Sequence, residues 1–255
     1  SVGVLHHLDQ PEAGLRSLAD RLAPSGLLHL FLYADAGRWE IHRTQKALSL
    51  LNAGTGSEGL RLGRELFETL PEGNRLARHH RERWAVDCAP DANFADMYLH
   101  PQETSYNLER LFAFIETAGL HFAGFSNPEV WDPSRLLQGE LLERAQALPP
   151  RQQWELVEQL DPDISHFEFF LSAAPVERAR WSDEALGLAR GLVQPCLWGE
   201  PDPILGRNME PIQLTDADRS LLRTVAEQPE QRLGALASPD QIRDLVDRQL
   251  LLLQE

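Results

Sequence analysis

Two places in this chain gather side chains able to do chemistry. His6 and His7 stand side by side, and Asp96, Tyr98 and His100 fall at alternate positions much further along. Imidazole titrates near neutral pH, so a histidine at either place could take a proton from a nucleophile. The plainer alternative for the second group is that Asp96 caps a turn and His100-Pro101 shapes a loop. No metal is expected. Adjacent side chains on a strand point to opposite faces, so one ion cannot take both His6 and His7, and Cys88 and Cys196 lack metal-ligand spacing. His79-His80 lies among Arg75, Arg78, Arg81 and Arg83 and reads as a solvated face, although arginine forks could also recruit an acidic group. Gly54-Thr55-Gly56-Ser57-Glu58-Gly59 spells the dinucleotide-binding glycine pattern. A functional match must follow a strand, whereas Gln45 to Leu51 reads as helix, so a loop is expected here.

The elements that must position these groups follow from periodicity. Ser1 to Leu5 is a short apolar run and reads as a buried strand. Leu15, Leu18, Ala19 and Leu22 recur at helical spacing after Pro11, a residue suited to a first helical turn. Pro24-Ser25-Gly26 ends that helix. Leu27 to Tyr33 is nearly unbroken apolar, as for a parallel strand covered on both faces. Strand, helix and strand make one βαβ unit. Tyr33, at the end of its strand, and Arg38 just beyond are further candidates for function. Helical patterns recur at Ile41 to Leu51, Leu60 to Leu70 and Tyr106 to Ala118, the last closed by Gly119. A strand is expected over Leu120 to Phe125, helix from Ser134 to Leu160 broken at Pro149-Pro150, and a strand over His166 to Ala173. Trp131, Trp154, Trp181 and Trp198 read as core or interface aromatics.

Composition bounds the setting. The chain has 255 residues, 42% of them hydrophobic and 25% charged, which is globular composition with enough length for a sizeable core. No apolar run approaches the ~20 residues that cross a bilayer, and two cysteines cannot build a disulfide framework, so a cytoplasmic setting is expected. The net charge of −15 repels phosphate backbones and anionic membranes, which disfavours a nucleic-acid or membrane partner.

Gly3-Val4-Leu5-His6-His7-Leu8, a helix, and then Leu22-Ala23-Pro24-Ser25-Gly26-Leu27-Leu28 resemble the fourth strand, following helix and fifth strand of class I S-adenosylmethionine-dependent methyltransferases. Ser25 replaces the first glycine of the family's turn. Ala118-Gly119-Leu120 with its strand, and His166 to Ala173, are similar to the sixth and seventh strands, which form the antiparallel hairpin closing that fold. Phe94 to Pro101 is similar to a stretch in one bacterial branch of the family. The resemblance implies an α/β fold: a partial Rossmann-like sheet equivalent to strands 4–7. It covers residues 1–174, with insertions at 40–104 and 126–163. It further implies S-adenosyl-L-methionine as cofactor, with Gly3, Val4, Leu5 and His6 on the cofactor edge and Tyr33, Asp96, Tyr98 and His100 on the acceptor side. The family's glycine-rich turn and ribose-binding acid would lie upstream of Ser1, so the resemblance implies the C-terminal portion of such an enzyme, with transfer to an unidentified acceptor impaired in this chain.

Residues 175–255 read as a mostly helical extension with a possible winged-helix pattern: a helix capped by Thr215, then Leu233 to Leu236, a helix from Pro239 to Arg248 and a strand over Leu250 to Leu253. Nine arginines face fourteen carboxylates there, the wrong sign for gripping phosphates. Protein contact or self-association suits it better. The rival reading of the whole chain is a non-catalytic interaction protein that keeps part of the methyltransferase fold as a scaffold.

Overall fold

The computed structural model describes residues 1–176, 181–194, 197, 204–205 and 211–254. Cys196, Trp198 and most of the proline-rich stretch from Pro201 to Pro211 lie outside the described residues. The chain divides into two units, Ser1–Val176 and Glu177–Glu255, each with an apolar core of its own.

In the first unit, β1 (Leu27–Tyr33), β2 (His121–Phe125) and β3 (His166–Ser172) form a sheet in the order β1-β3-β2. Both ladders are antiparallel, and β1 pairs with β3 along its whole length. Alternation along β3 sends Phe167, Phe169 and Leu171 inward, all fully buried with Leu30 and Leu32 of β1. Each such side chain contributes about 1.5–3 kcal/mol through burial. The opposite face of β1 is half-covered and polar: Phe31 stacks on His166 at 4.6 Å, and His29 pairs with Glu168 at 2.9 Å. The apolar run of β1 therefore does not mark a parallel strand sealed on both faces, because period-two alternation divides it into one buried side and one open side.

The strand expected over Ser1 to Leu5 is also corrected. Val2 makes a single parallel bridge to Phe31, and the Ser1 carbonyl accepts the Phe31 amide at 3.1 Å. Gly3 then adopts φ +70°, leaves extended geometry, and Leu5–His7 winds into a 3-10 turn. The segment still lies beside β1, joined to it through α1 (Pro11–Ala19), whose Leu15 is fully buried.

The insertion after β1 is helical: α2 (Trp39–Leu50), α3 (Ser57–Thr69), α4 (Arg75–His79) and α5 (Asp91–Tyr98). They close around Ile41, Leu48, Phe94 and Tyr98 as a satellite core. Gly54 to Gly59 joins α2 to α3 with no strand before it, so the glycine pattern sits outside any βαβ unit. α6 (Leu108–Glu116) buries Leu108, Leu111, Phe114 and Ile115. It ends at Gly119, whose φ of +65° is the left-handed geometry glycine adopts without penalty. α7 (Gly139–Gln146) and α8 (Pro150–Leu160) complete the unit, the second opened by Pro150. Glu158 of α8 accepts the Leu108 amide at 2.8 Å, satisfying an orphan donor of α6.

In the second unit, α9 (Asp183–Leu188) precedes β4 (Arg190–Val193), and a two-residue pair, β5 (Ile204–Leu205) with β6 (Pro211–Ile212), leads to α10 (Asp216–Glu227). Thr215 and Asp218 form a reciprocal capping box at the start of α10. α11 (Pro239–Asp247) and β7 (Leu251–Gln254) follow, and β7 pairs antiparallel with β4. No helix among the described residues is long and apolar enough to cross a membrane.

Candidate functional site

The carboxyl end of β1 organises the site. Beyond Tyr33 the chain turns sharply, with the Gly37 amide donating to the Ile164 carbonyl at 2.8 Å. A Cβ on Gly37 would meet the backbone of Ile164 and Ser165 at 2.5 Å, so only glycine allows this approach. The turn brings Arg38 back over the Tyr33 ring, its guanidinium carbon 3.5 Å from the ring centre. Arg38 then grips Glu103 bidentately, at 2.8 and 2.7 Å. His42 and Gln45 of α2 reach the same carboxylate at 3.2 Å each. Burial alone would raise the Glu103 pKa, but the hydrogen bonds from His42 and Arg38 and the Arg38 charge outweigh it and hold the carboxyl at about 2.

Next along the chain, the Thr104 amide donates to the His6 carbonyl at 2.8 Å, fastening the first histidine to this loop. His6 is fully buried and stacks on Tyr33 at 3.8 Å. Neither ring nitrogen of His6 finds a hydrogen-bond partner among the described residues. Burial, reinforced by the neighbouring His7, lowers its pKa to about 4, so it stands neutral at physiological pH. Burial likewise pushes the Tyr33 hydroxyl up. His7 stands edge-on to His6 at 4.3 Å and lies 3.9 Å from His100. In the 3-10 turn both histidines therefore serve one cluster instead of opposite faces of a strand.

The remaining candidates distribute as follows. Gly3 and Val4 are exposed beside the His6 turn, while Leu5 points into the core at 3% exposure. Asp96 is exposed on α5, within reach of His7 and His100. Tyr98 is buried in the satellite core, where its hydroxyl pairs with His80 Nδ1 at 2.9 Å. His80 itself stacks on Phe67 at 3.9 Å, so the arginine-rich segment is not simply a solvated face. Two of its arginines are committed as well: Arg75 to Glu40 at 2.6 Å and Arg83 to Asp163 at 2.8 Å.

An open cavity of about 650 Å³ lies against this cluster, walled by His42, Gln45, Lys46, Tyr98, His100 and Glu103 among others. Residue type and the family resemblance singled out Tyr98 and His100 but missed His42 and Glu103. Ser105 donates to Asp35 and lies 3.4 Å from His42 Nε2, a partial likeness to a hydrolytic triad. Glu103 contacts that same ring nitrogen, which a triad base keeps for its serine.

No family profile matches the chain. It is 43% identical over 269 residues to an uncharacterized protein of Synechococcus sp., spanning 99% of this chain and 64% of that protein. Among solved structures it resembles PKMT2 from Rickettsia typhi, with TM-score 0.59 and 16% identity, and the same protein in complex with AdoHcy, with TM-score 0.63 and 15% identity. Both likenesses cover the whole of this chain and 57% of PKMT2. The chain thus spans somewhat over half the length of these relatives. Its fold is shared with PKMT2, which was solved with AdoHcy bound.

Proposed function

We propose that this chain forms part of an S-adenosylmethionine-dependent methyltransferase, with the cofactor edge at Gly3, Val4, Leu5 and His6 and the acceptor side at Tyr33, Asp96, Tyr98 and His100. The observation that carries the reading is the likeness to a solved structure holding AdoHcy, together with the convergence of those residues at the carboxyl end of β1, where open α/β folds place ligands. His6 fits a polar ligand, because a fully buried ring with two unpartnered nitrogens is costly unless something pairs with it. Leu5 would serve this edge through its backbone, its side chain being committed to the core.

The bound cofactor supplies a methyl group on a sulfonium, ready for in-line displacement. The protein's part is alignment of the two reactants. Tyr33, clamped between Arg38 and the Leu5–His7 turn, gives a rigid wall. His100, at the cavity margin, takes the Gln102 amide on Nδ1, so its Nε2–H is placed to orient the acceptor by donating a hydrogen bond. Glu103 stays ionised and fixes Arg38, His42 and Gln45 around the cavity. The second unit, acidic overall, is read as a protein-contact or self-association module.

Calorimetric titration of AdoHcy into the natural-length protein tests the assignment. Saturable binding is expected, weakened at least roughly tenfold by His6→Ala, which is about 1.4 kcal/mol of binding energy. No detectable heat at millimolar ligand overturns it.

A further inference from the structure

His7, Asp96 and His100 offer three ligand atoms that all lie within 4.8 Å of one another. They come from three separate places: the 3-10 turn beside β1, the helix α5, and the loop just after it. We propose that this triad is a binding site for one borderline divalent ion of the zinc type, sharing Asp96 and His100 with the acceptor side.

The donor set is the first argument. Two imidazoles and one carboxylate suit zinc and its neighbours over magnesium or calcium, which prefer all-oxygen shells. Support around the ligands is the second. His7 Nδ1–H donates to the Gln102 carbonyl at 3.0 Å, which fixes the ring and leaves the Nε2 lone pair free, as a backbone carbonyl does behind many metal-bound histidines. Thr104, two residues on, ties the same loop to the His6 carbonyl at 2.8 Å. Asp96 is exposed on α5 and presents its carboxylate to both imidazoles.

Reach is the third argument. Ligands ~2.0–2.1 Å from a tetrahedral ion stand roughly 3.3 Å apart. Side-chain rotation of exposed Asp96 and half-buried His100 can close that gap without moving the backbone. His100 must also change partner, since its Nδ1 accepts the Gln102 amide at 3.2 Å. An ion on Nε2 shifts the ring proton to Nδ1 and releases that amide. Three protein ligands leave a coordination position open, and because His100 is also a wall of the 650 Å³ cavity, a bound ion would border the space offered to an acceptor.

The test is titration of EDTA-treated, dialysed protein with Zn²⁺, and with Co²⁺ followed by its visible absorption. One ion per chain is expected. His7→Ala and His100→Ala should each weaken binding at least roughly a hundredfold, given that partners behind the ligands alone are worth ~10–100-fold. Asp96→Asn, at an exposed position that leaves packing intact, should weaken it about tenfold, and the amide resonance of Gln102 should move on metal addition. His121→Ala, on β2 outside the cluster, should bind as the parent does. The proposal fails if the parent takes up no ion, or if circular dichroism shows folded Asp96→Asn and His100→Ala proteins that bind Zn²⁺ with parental affinity.

Discussion

Arg38 and Glu103, 65 positions apart in sequence, meet as a two-pronged ion pair with side-chain exposures of only 3% and 5%. The pair joins the turn after β1 to the loop that carries His100, Gln102 and Thr104, and the Arg38 fork lies over Tyr33 at the same time. One interaction therefore sets the distance between the two sides of the candidate site.

Removing one member strands the other charge in the interior. Glu103→Ala should destabilise the protein by about 3–5 kcal/mol, the usual cost of orphaning one partner of a buried pair. Arg38→Met with Glu103→Leu should recover most of that loss, because matched apolar side chains need no counter-charge. Urea denaturation of the three proteins checks this, and a double variant as unstable as the single one would refute it.

Acid should weaken the same joint. The Glu103 carboxyl titrates at about 2 in the folded protein against an ordinary value of 4.5, so the unfolded chain binds the proton first as pH falls. The pair's full contribution is present above about pH 4.5 and is lost as pH falls towards 2. The shift corresponds to stabilisation on the order of 3 kcal/mol. The stability gap between parent and Glu103→Gln should accordingly narrow from pH 6 to pH 3, and a constant gap would count against the linkage.

Part of this was legible from residue order. Leucine spacing marked α1 and α6, Pro149-Pro150 marked the joint between α7 and α8, and the run His166 to Ala173 marked β3, because each signal is local. The direction of β1 was not legible, since an apolar run does not say which partner it will pair with. The opening strand failed at Gly3, where a positive φ ends the ladder after one bridge. α4 and α5 were missed because they are short, and the first carries Arg75, which pairs with the distant Glu40. Arg38 could be suspected from its place after β1. Glu103 and His42 carry no local signal, as their importance arises only when the loop folds onto α2.

Tyr98 serves the acceptor side through its ring and not its hydroxyl. It borders the cavity, yet its hydroxyl is already engaged by His80 at 2.9 Å. Tyr98→Phe should therefore cost stability, about 1 kcal/mol for one neutral hydrogen bond, and leave methyl transfer little changed. A collapse of turnover with unchanged stability would show instead that the hydroxyl serves the acceptor.

The second unit offers a test that leaves the site untouched. Thr215 and Asp218 cap α10 reciprocally, so Thr215→Ala should lower the stability of that unit by roughly 1 kcal/mol. AdoHcy binding, assigned to the first unit, should not change. Thermal unfolding and calorimetry on the same sample separate the two readouts.

His6 sets stability against function. Phenylalanine in its place keeps the stack on Tyr33 and deletes two buried nitrogens that have no partner, each of which costs ~1–3 kcal/mol when left unpaired. Some of that relief is lost because the larger ring must be fitted into a packed core. A net gain of about 1 kcal/mol in the ligand-free protein is expected for His6→Phe, with AdoHcy affinity lowered at least roughly tenfold. If the variant is both more stable and binds as tightly as the parent, the histidine is a packing residue and the cofactor edge must be sought on the backbone of Gly3 and Val4.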